Sequence, residues 1–245
     1  MFQFVLDDLK DRDIDIKNCF YYQNCNIPLS SVLLSKSTGF RTIIHSNKNL
    51  PHVNFDNFDK CDLSEYKWVH FEARNPDQTT KMMLKIKKYN EDKSEQEKIK
   101  ISIDLEKKRE ENLKLIKYTD VVFLGRDYAE LFGCKDMKSA IIKLKEMSQL
   151  QEYLNSNIII ICPWGTDGAC ALSADGKYYQ CPSYPPIQIV DSLGAGDTFC
   201  GATLSSLMDN YNDIETAIDQ GCRVAGFKVG FFGYDGIKDY SGTSK

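Results

Sequence analysis

Asp191-Ser192-Leu193-Gly194-Ala195-Gly196-Asp197-Thr198-Phe199 joins a glycine-bearing turn, a carboxylate and the start of an apolar helical pattern in one short stretch. Gly194 and Gly196 lack a Cβ and let backbone amides approach a ligand, while Asp197 and Thr198 are placed to cap the helix that follows. Amides left free at a helix start bind anions. Such amides stabilise a phosphoryl group in transfer, and a carboxylate beside them accepts the proton of an attacking hydroxyl. The stretch therefore reads as a phosphoryl-transfer site, with Gly194, Ala195 and Gly196 as the anion-binding amides and Asp197 as the general base. The plainer alternative is a strand-to-helix turn in which Asp197 is only a cap.

Two other phosphate-binding patterns fail on spacing. A dinucleotide fingerprint needs a third glycine where Phe199 stands, and a Walker loop needs a Gly-Lys-Ser/Thr ending that the chain lacks. Working outward, strand-like runs at 68–73, 99–105, 121–124 and 157–162 alternate with helical patterns. The clearest helix is expected over 136–154, where Met137, Ala140, Ile141, Leu144 and Met147 recur at three and four residues. This alternation predicts an α/β fold with a doubly wound, mainly parallel sheet between helices, and active groups at the carboxyl ends of its strands.

Residues 14–45 read differently. Cys19-Phe20-Tyr21-Tyr22, Ser31-Val32-Leu33-Leu34 and Thr42-Ile43-Ile44 suit short strands. No repeat, low-complexity segment or interdomain linker interrupts the 245 residues, so one domain over 1–245 is expected.

Composition narrows the function. A net charge of −4 argues against nucleic acid as the default partner, and the lysine-rich run 81–88, interleaved with Met82, Met83, Leu84 and Ile86, reads as a solvated helix face. The nine cysteines are scattered without metal-ligand spacing, so reduced thiols in the cytoplasm and no metal-binding residues are expected. Cys162, Cys170 and Cys222 lie in apolar or small-residue surroundings and read as core. No window is apolar enough to predict a membrane span or a secretory leader.

The stretch 191–199 fits the signature D-[ST]-x-G-A-G-D-x-F and resembles that of the phosphofructokinase-B, or ribokinase-like, carbohydrate kinases. The resemblance spans the chain, through Gly39-Phe40-Arg41-Thr42-Ile43, Trp68-Val69-His70-Phe71-Glu72-Ala73-Arg74-Asn75, Glu106-Lys107-Lys108-Arg109, Gly165-Thr166-Asp167-Gly168, Gly221-Cys222-Arg223-Val224-Ala225-Gly226 and Gly233-Tyr234-Asp235-Gly236-Ile237. It is strongest with the ketohexose-phosphorylating members. It implies a ribokinase-like fold and ATP-dependent transfer to a ketohexose, D-fructose becoming fructose 1-phosphate. Further implications are Mg²⁺ carried mainly by ATP, K⁺ as an additional ion, and a homodimer clasped through a β lid, of which 14–45 is a part. By the same resemblance the chain starts inside the family fold, without the strand that carries a sugar-binding aspartate or the Gly-Gly-Asn segment, and Phe4-Val5-Leu6-Asp7-Asp8-Leu9 matches a helix.

Site roles carried by the resemblance attach to matching residues. Arg41, with Gly165, Thr166, Asp167, Gly168 and the 194–196 amides, would hold the nucleotide; Glu72, Arg74, Arg41 and Asp197 would face the sugar. Thr166 stands where ketohexose kinases carry an acidic residue, and Gly125-Arg126-Asp127-Tyr128 replaces the Asn-x-x-Glu motif of the wider family. Each role has a plainer counterpart. Arg41 is then a surface arginine, Glu72 and Arg74 form a local ion pair, 165–168 is a loop leading into a strand at 169–172, and Gly221–Gly226 is a small-residue helix contact. His70 is expected to be buried and hydrogen-bonded rather than a base. Two other functions stay open at this point: a non-catalytic nucleotide-binding or dimer-modulating fragment, and a kinase for another sugar or nucleoside.

Overall fold

The computed structural model describes residues 2–34, 41–106, 109–147 and 157–242. They fall into two compact units, 1–62 and 63–245.

The first unit opens with helix α1 (Phe2–Asp11), the helix expected from Phe4–Leu9. It continues into strands β1 (Leu29–Leu34) and β2 (Arg41–Ser46), an antiparallel pair with Val32 opposite Ile43, and a short helix α2 (Phe55–Phe58). The strand expected at Cys19–Tyr22 does not form. Asp15 accepts the Lys17 amide in an Asx turn, the Cys19 amide closes onto the Ile16 carbonyl, and Asn24 turns the chain again with φ +61°. Two turns this close leave too few extended residues for a ladder.

The second unit contains a six-stranded sheet in sequential order: β3 (Trp68–Phe71), β4 (Lys100–Leu105), β5 (Val121–Leu124), β6 (Ile159–Pro163), β7 (Ala169–Leu172) and β8 (Tyr178–Cys181). The first four strands are parallel; β7 and β8 are added antiparallel. All four β5 residues are buried, as a parallel strand covered on both faces requires. Successive side chains alternate between faces, so Val121 and Phe123 join Ile159, Ile161, Ala169 and Ala171 on one side. That side packs on Phe199, Leu207, Ile214, Ala217 and Ile218 of two helices whose ranges are given below.

Among the described residues, five α-helices follow the strands or flank them. Helix α3 (Pro76–Tyr89) starts at the Asn75 cap and buries Met82, Met83 and Ile86, leaving its lysines outward as expected. Helix α4 (Arg126–Leu131) leaves β5 through Gly125. Helix α5 (Met137–Glu146) is capped by Asp136, whose side chain accepts the Ser139 amide, and packs on β6 and β7. It is shorter than the expected 136–154. Met147 turns extended with ψ 115°, which closes the ladder at its own N–H; 148–156 lie outside the described residues. Helices α6 (Ala195–Asp209) and α7 (Ile214–Lys228) pack against each other and complete the other layer. The fold is thus α/β with a mainly parallel sheet between helices.

Candidate active site

The signature begins on backbone anchored to the end of α7. The amides of Val190 and Asp191 donate to the Val229 carbonyl at 2.9 and 3.1 Å. Asp191 then organises the turn: Oδ1 accepts the Leu193 amide at 3.0 Å, and Oδ2 accepts the Gly233 amide at 3.2 Å and the Lys228 ammonium at 3.1 Å. The Leu193 amide first, then Gly233 and Lys228, hold its carboxyl below the usual aspartate range.

Gly194 is the N-cap of α6 in the left-handed conformation, φ +75°, with no side-chain cap bond. Asp197 and Thr198 therefore do not cap the helix. They lie inside its first turn, where Thr198 returns its amide and hydroxyl to the Gly194 carbonyl at 2.9 and 2.8 Å. The Ala195 amide turns back to Ser192 at 3.3 Å. Of the three amides expected to face an anion, those of Gly194 and Gly196 have no partner among the described residues, nor has that of Asp197; only the Ala195 amide is engaged. An acidic side chain at this end also meets the helix dipole favourably.

Gly165–Asp167 form a 3-10 turn linking β6 to β7, closed by the Trp164 amide on the Gly168 carbonyl at 2.7 Å. Gly168 is a packing glycine: a Cβ there would fall 2.1 Å from the Cys181 carbonyl oxygen. Over Gly165 and over Gly196 the space is open. A cavity of about 280 Å³ has Gly165, Thr166 and Gly168 on one wall and Ala195 and Gly196 on another, with Phe199 and Gly226 also lining it. Two segments separated by some thirty residues of sequence thus meet at one concave, largely apolar space suited to a small ligand.

Asp197 lies outside that cavity, exposed to solvent, and lines a neighbouring hollow with Tyr234 and Gly201. Its charge acts on His70, together with that of Glu72. His70 is hydrogen-bonded to Ser102 Oγ at 2.7 Å and meets the Phe123 ring edge-on at 6.0 Å, yet the residue as a whole is exposed because β3 is the sheet's outer strand. Burial of its inner edge lowers its pKa, opposed by Glu72 and Asp197.

Glu72 and Arg74 emerge at the carboxyl end of β3, both exposed and paired at 2.5 Å. The buried Ala73 between them adopts φ +48°. Asp167 sits in the β6–β7 turn. Arg41 opens β2 in the first unit; its side chain lies outside the described residues, as do Gly39 and Phe40. Gly221 is a helix contact, its Cα facing Thr203 and Phe199, whereas Gly226 lines the cavity.

Sequence reasoning missed three groups. Burial first, then the charges of Asp104, Asp197 and Glu106, raises the Cys200 thiol pKa, so the carboxylates at the end of β4 act electrostatically on the first turns of α6. The alternation Ser102, Asp104, Glu106 along a strand is the signal that points to them. The third is Lys228, a lysine in the small and apolar run Val224-Ala225-Gly226-Phe227. Among the described residues no three His, Cys, Asp or Glu side chains stand together as a metal cluster, and no helix is long and apolar enough to cross a membrane.

A helix start with free amides, beside a cavity at the carboxyl end of a strand in an α/β sheet, is an arrangement suited to phosphate. Comparison with known proteins makes the class specific. The profile of the pfkB family carbohydrate kinases matches residues 2–235, and the chain belongs to that family, whose members are ATP-dependent sugar kinases. Mouse ketohexokinase is 35% identical over 96% of this chain and 76% of its own length. Among solved structures, ribokinase from Giardia lamblia has a TM-score of 0.77 at 17% identity, covering 96% of this chain and 76% of that one. Ribokinase from Cryptococcus neoformans, in complex with ADP, has a TM-score of 0.74 at 16% identity, covering 96% and 78%.

Proposed function

We propose that this chain phosphorylates a ketohexose with ATP, converting D-fructose to fructose 1-phosphate, with Asp197 as general base. The observation that carries the reading is the cavity shared by the 165–168 turn and the start of α6, with the free amides at Gly196 and Asp197 beside it. The adenosine phosphates enter along Gly165 and Gly196, where no Cβ intrudes. The γ-phosphoryl meets the amides of the anion loop, Gly194 to Gly196 extended to Asp197, and the Asp197 carboxylate takes the proton of the attacking hydroxyl. The family resemblance assigns Glu72 and Arg74 to the sugar with Asp197, and Arg41 to the phosphates and the sugar. Mg²⁺ comes with ATP and offsets phosphate charge when bound. The similarity to mouse ketohexokinase supports a ketohexose as the acceptor.

The proposal extends to one kinase domain over 1–245, a β lid within 14–45 that pairs two copies, K⁺ as an additional ion, and a cytoplasmic setting. The test is ADP release by the purified chain with Mg-ATP, with and without D-fructose and against a panel of other sugars and nucleosides. Fructose-stimulated release supports the reading. ATP binding without stimulation by fructose overturns it in favour of a nucleotide-binding protein, and stimulation by another acceptor reassigns the substrate.

A further inference from the structure

Lys228 ends α7 with its side chain fully buried. Its ammonium donates to the Asp191 carbonyl at 2.9 Å and to Asp191 Oδ2 at 3.1 Å. Its third neighbour is the Tyr234 ring, 5.5 Å away at the centroid. A buried ammonium is costly unless its charge is compensated, so this pairing with Asp191 is built into the fold.

Asp191 in turn is the hub of the turn that precedes Gly194, through the Leu193 and Gly233 amides. That places a carboxylate three residues before a helix start offered to phosphate. Its geometry is needed and its charge is adverse: an uncompensated negative charge next to a polyphosphate repels it. An asparagine has one acceptor oxygen where Asp191 uses two, so taking the Leu193 and Gly233 amides at once requires a carboxylate, and the chain sets a buried lysine against its charge.

We infer that Lys228 is a positioning residue of the phosphate-binding loop, whose ammonium cancels the Asp191 charge so that the turn keeps its carboxylate without repelling a nucleotide polyphosphate. This rests on the phosphate-binding reading of the loop. Lys228 does not reach the ligand; it acts through Asp191.

The consequence is a charge ladder that a purely structural lysine does not produce. Asp191→Asn makes the pair net positive, the native pair is neutral, Lys228→Met makes it net negative, and the double variant is neutral again. Titrating each protein calorimetrically with ATP, ADP and adenosine, without divalent cations, reads the ladder directly, with circular dichroism confirming the fold. Taken relative to adenosine, which carries no phosphate and so reports any loss of turn geometry alone, ATP should bind most tightly to Asp191→Asn, equally within about threefold to wild type and the double variant, and about tenfold or more weakly to Lys228→Met. ADP relative to adenosine should show a smaller spread. If Lys228→Met does not fold, the asparagine and double variants still carry the comparison.

A double variant that, relative to adenosine, binds ATP about tenfold more weakly than wild type, or losses equal for adenosine and ATP, overturns the role of Lys228 while leaving the site intact. A folded wild type that binds neither ATP nor ADP overturns the phosphate-binding reading, and the inference with it.

Discussion

The Tyr234 hydroxyl occupies the space that a side chain on Gly194 would need: a Cβ built there falls 1.8 Å from Tyr234 Oη. Gly194 therefore answers two demands, a left-handed φ of +75° and contact with the 233–237 segment. Gly194→Ala should destabilise the protein by about 1–3 kcal/mol from backbone conformation alone, and more as Tyr234 is displaced. Urea denaturation should show the loss, and ATP titration should show weakened binding. Adding Tyr234→Ala should recover the steric share and leave the backbone share. Full recovery in the double variant would deny the backbone role.

Asp197 sits in the first turn of α6 and accepts no helix-capping bond, so its carboxylate is not needed to start the helix. Asp197→Asn keeps shape and hydrogen bonding while removing the base. Turnover should fall by at least about 10²-fold, the scale of a lost general base, with the unfolding midpoint and ATP affinity close to wild type. Near-normal fructose-dependent turnover in that variant would remove Asp197 from the role.

The alternation of strand and helix runs, and the strand at 121–124, were legible because a fully buried parallel strand is a continuous apolar run; the antiparallel strand at 169–172 was legible because it too is short, apolar and mostly buried. The Asp191–Phe199 stretch was legible as an anion site because glycine spacing and a helix start are local. The exact donors were not: the Ser192 carbonyl takes the Ala195 amide, a turn detail invisible in composition. Lys228 and Tyr234 escaped because their partners, Asp191 and Gly194, lie some forty residues earlier. Cys19–Tyr22 misled because aromatic and β-compatible residues say nothing about whether a neighbouring strand is within reach, and turns at Asp15 and Asn24 deny one.

His70 has its pKa lowered by burial against Phe123 and Ser102 more than Glu72 and Asp197 raise it. The native state therefore binds its proton later than the unfolded chain, whose histidine titrates near 6.5. Between that value and the lower native pKa the unfolded state holds more protons, so stability falls as pH falls. The urea midpoint of wild type should drop between pH 7.5 and 5 by more than that of His70→Gln. Parallel profiles for the two proteins would show that His70 does not contribute to the acid sensitivity.

Two glycines in the α6–α7 pair should respond to alanine with opposite signs. Gly221 on α7 faces Thr203 and Phe199 of α6, and a Cβ would fall 2.2 Å from Thr203 Oγ1 and 2.8 Å from the Phe199 ring. Both neighbours are buried, so neither side chain can swing into solvent, and Gly221→Ala must separate the helices. Overpacking of this kind costs about 1–3 kcal/mol. Because Phe199 and Cys222 both line the cavity beside the 165–168 turn, the same substitution should weaken ATP binding. Gly201 lies on α6 with open space where its Cβ would stand and an ordinary helical φ. Gly201→Ala should stabilise by about 0.5–1 kcal/mol through helix propensity. Thermal unfolding of the two variants beside wild type separates the effects, and an unchanged midpoint for Gly221→Ala would mean that the helices yield without cost, contrary to the close packing of their interface.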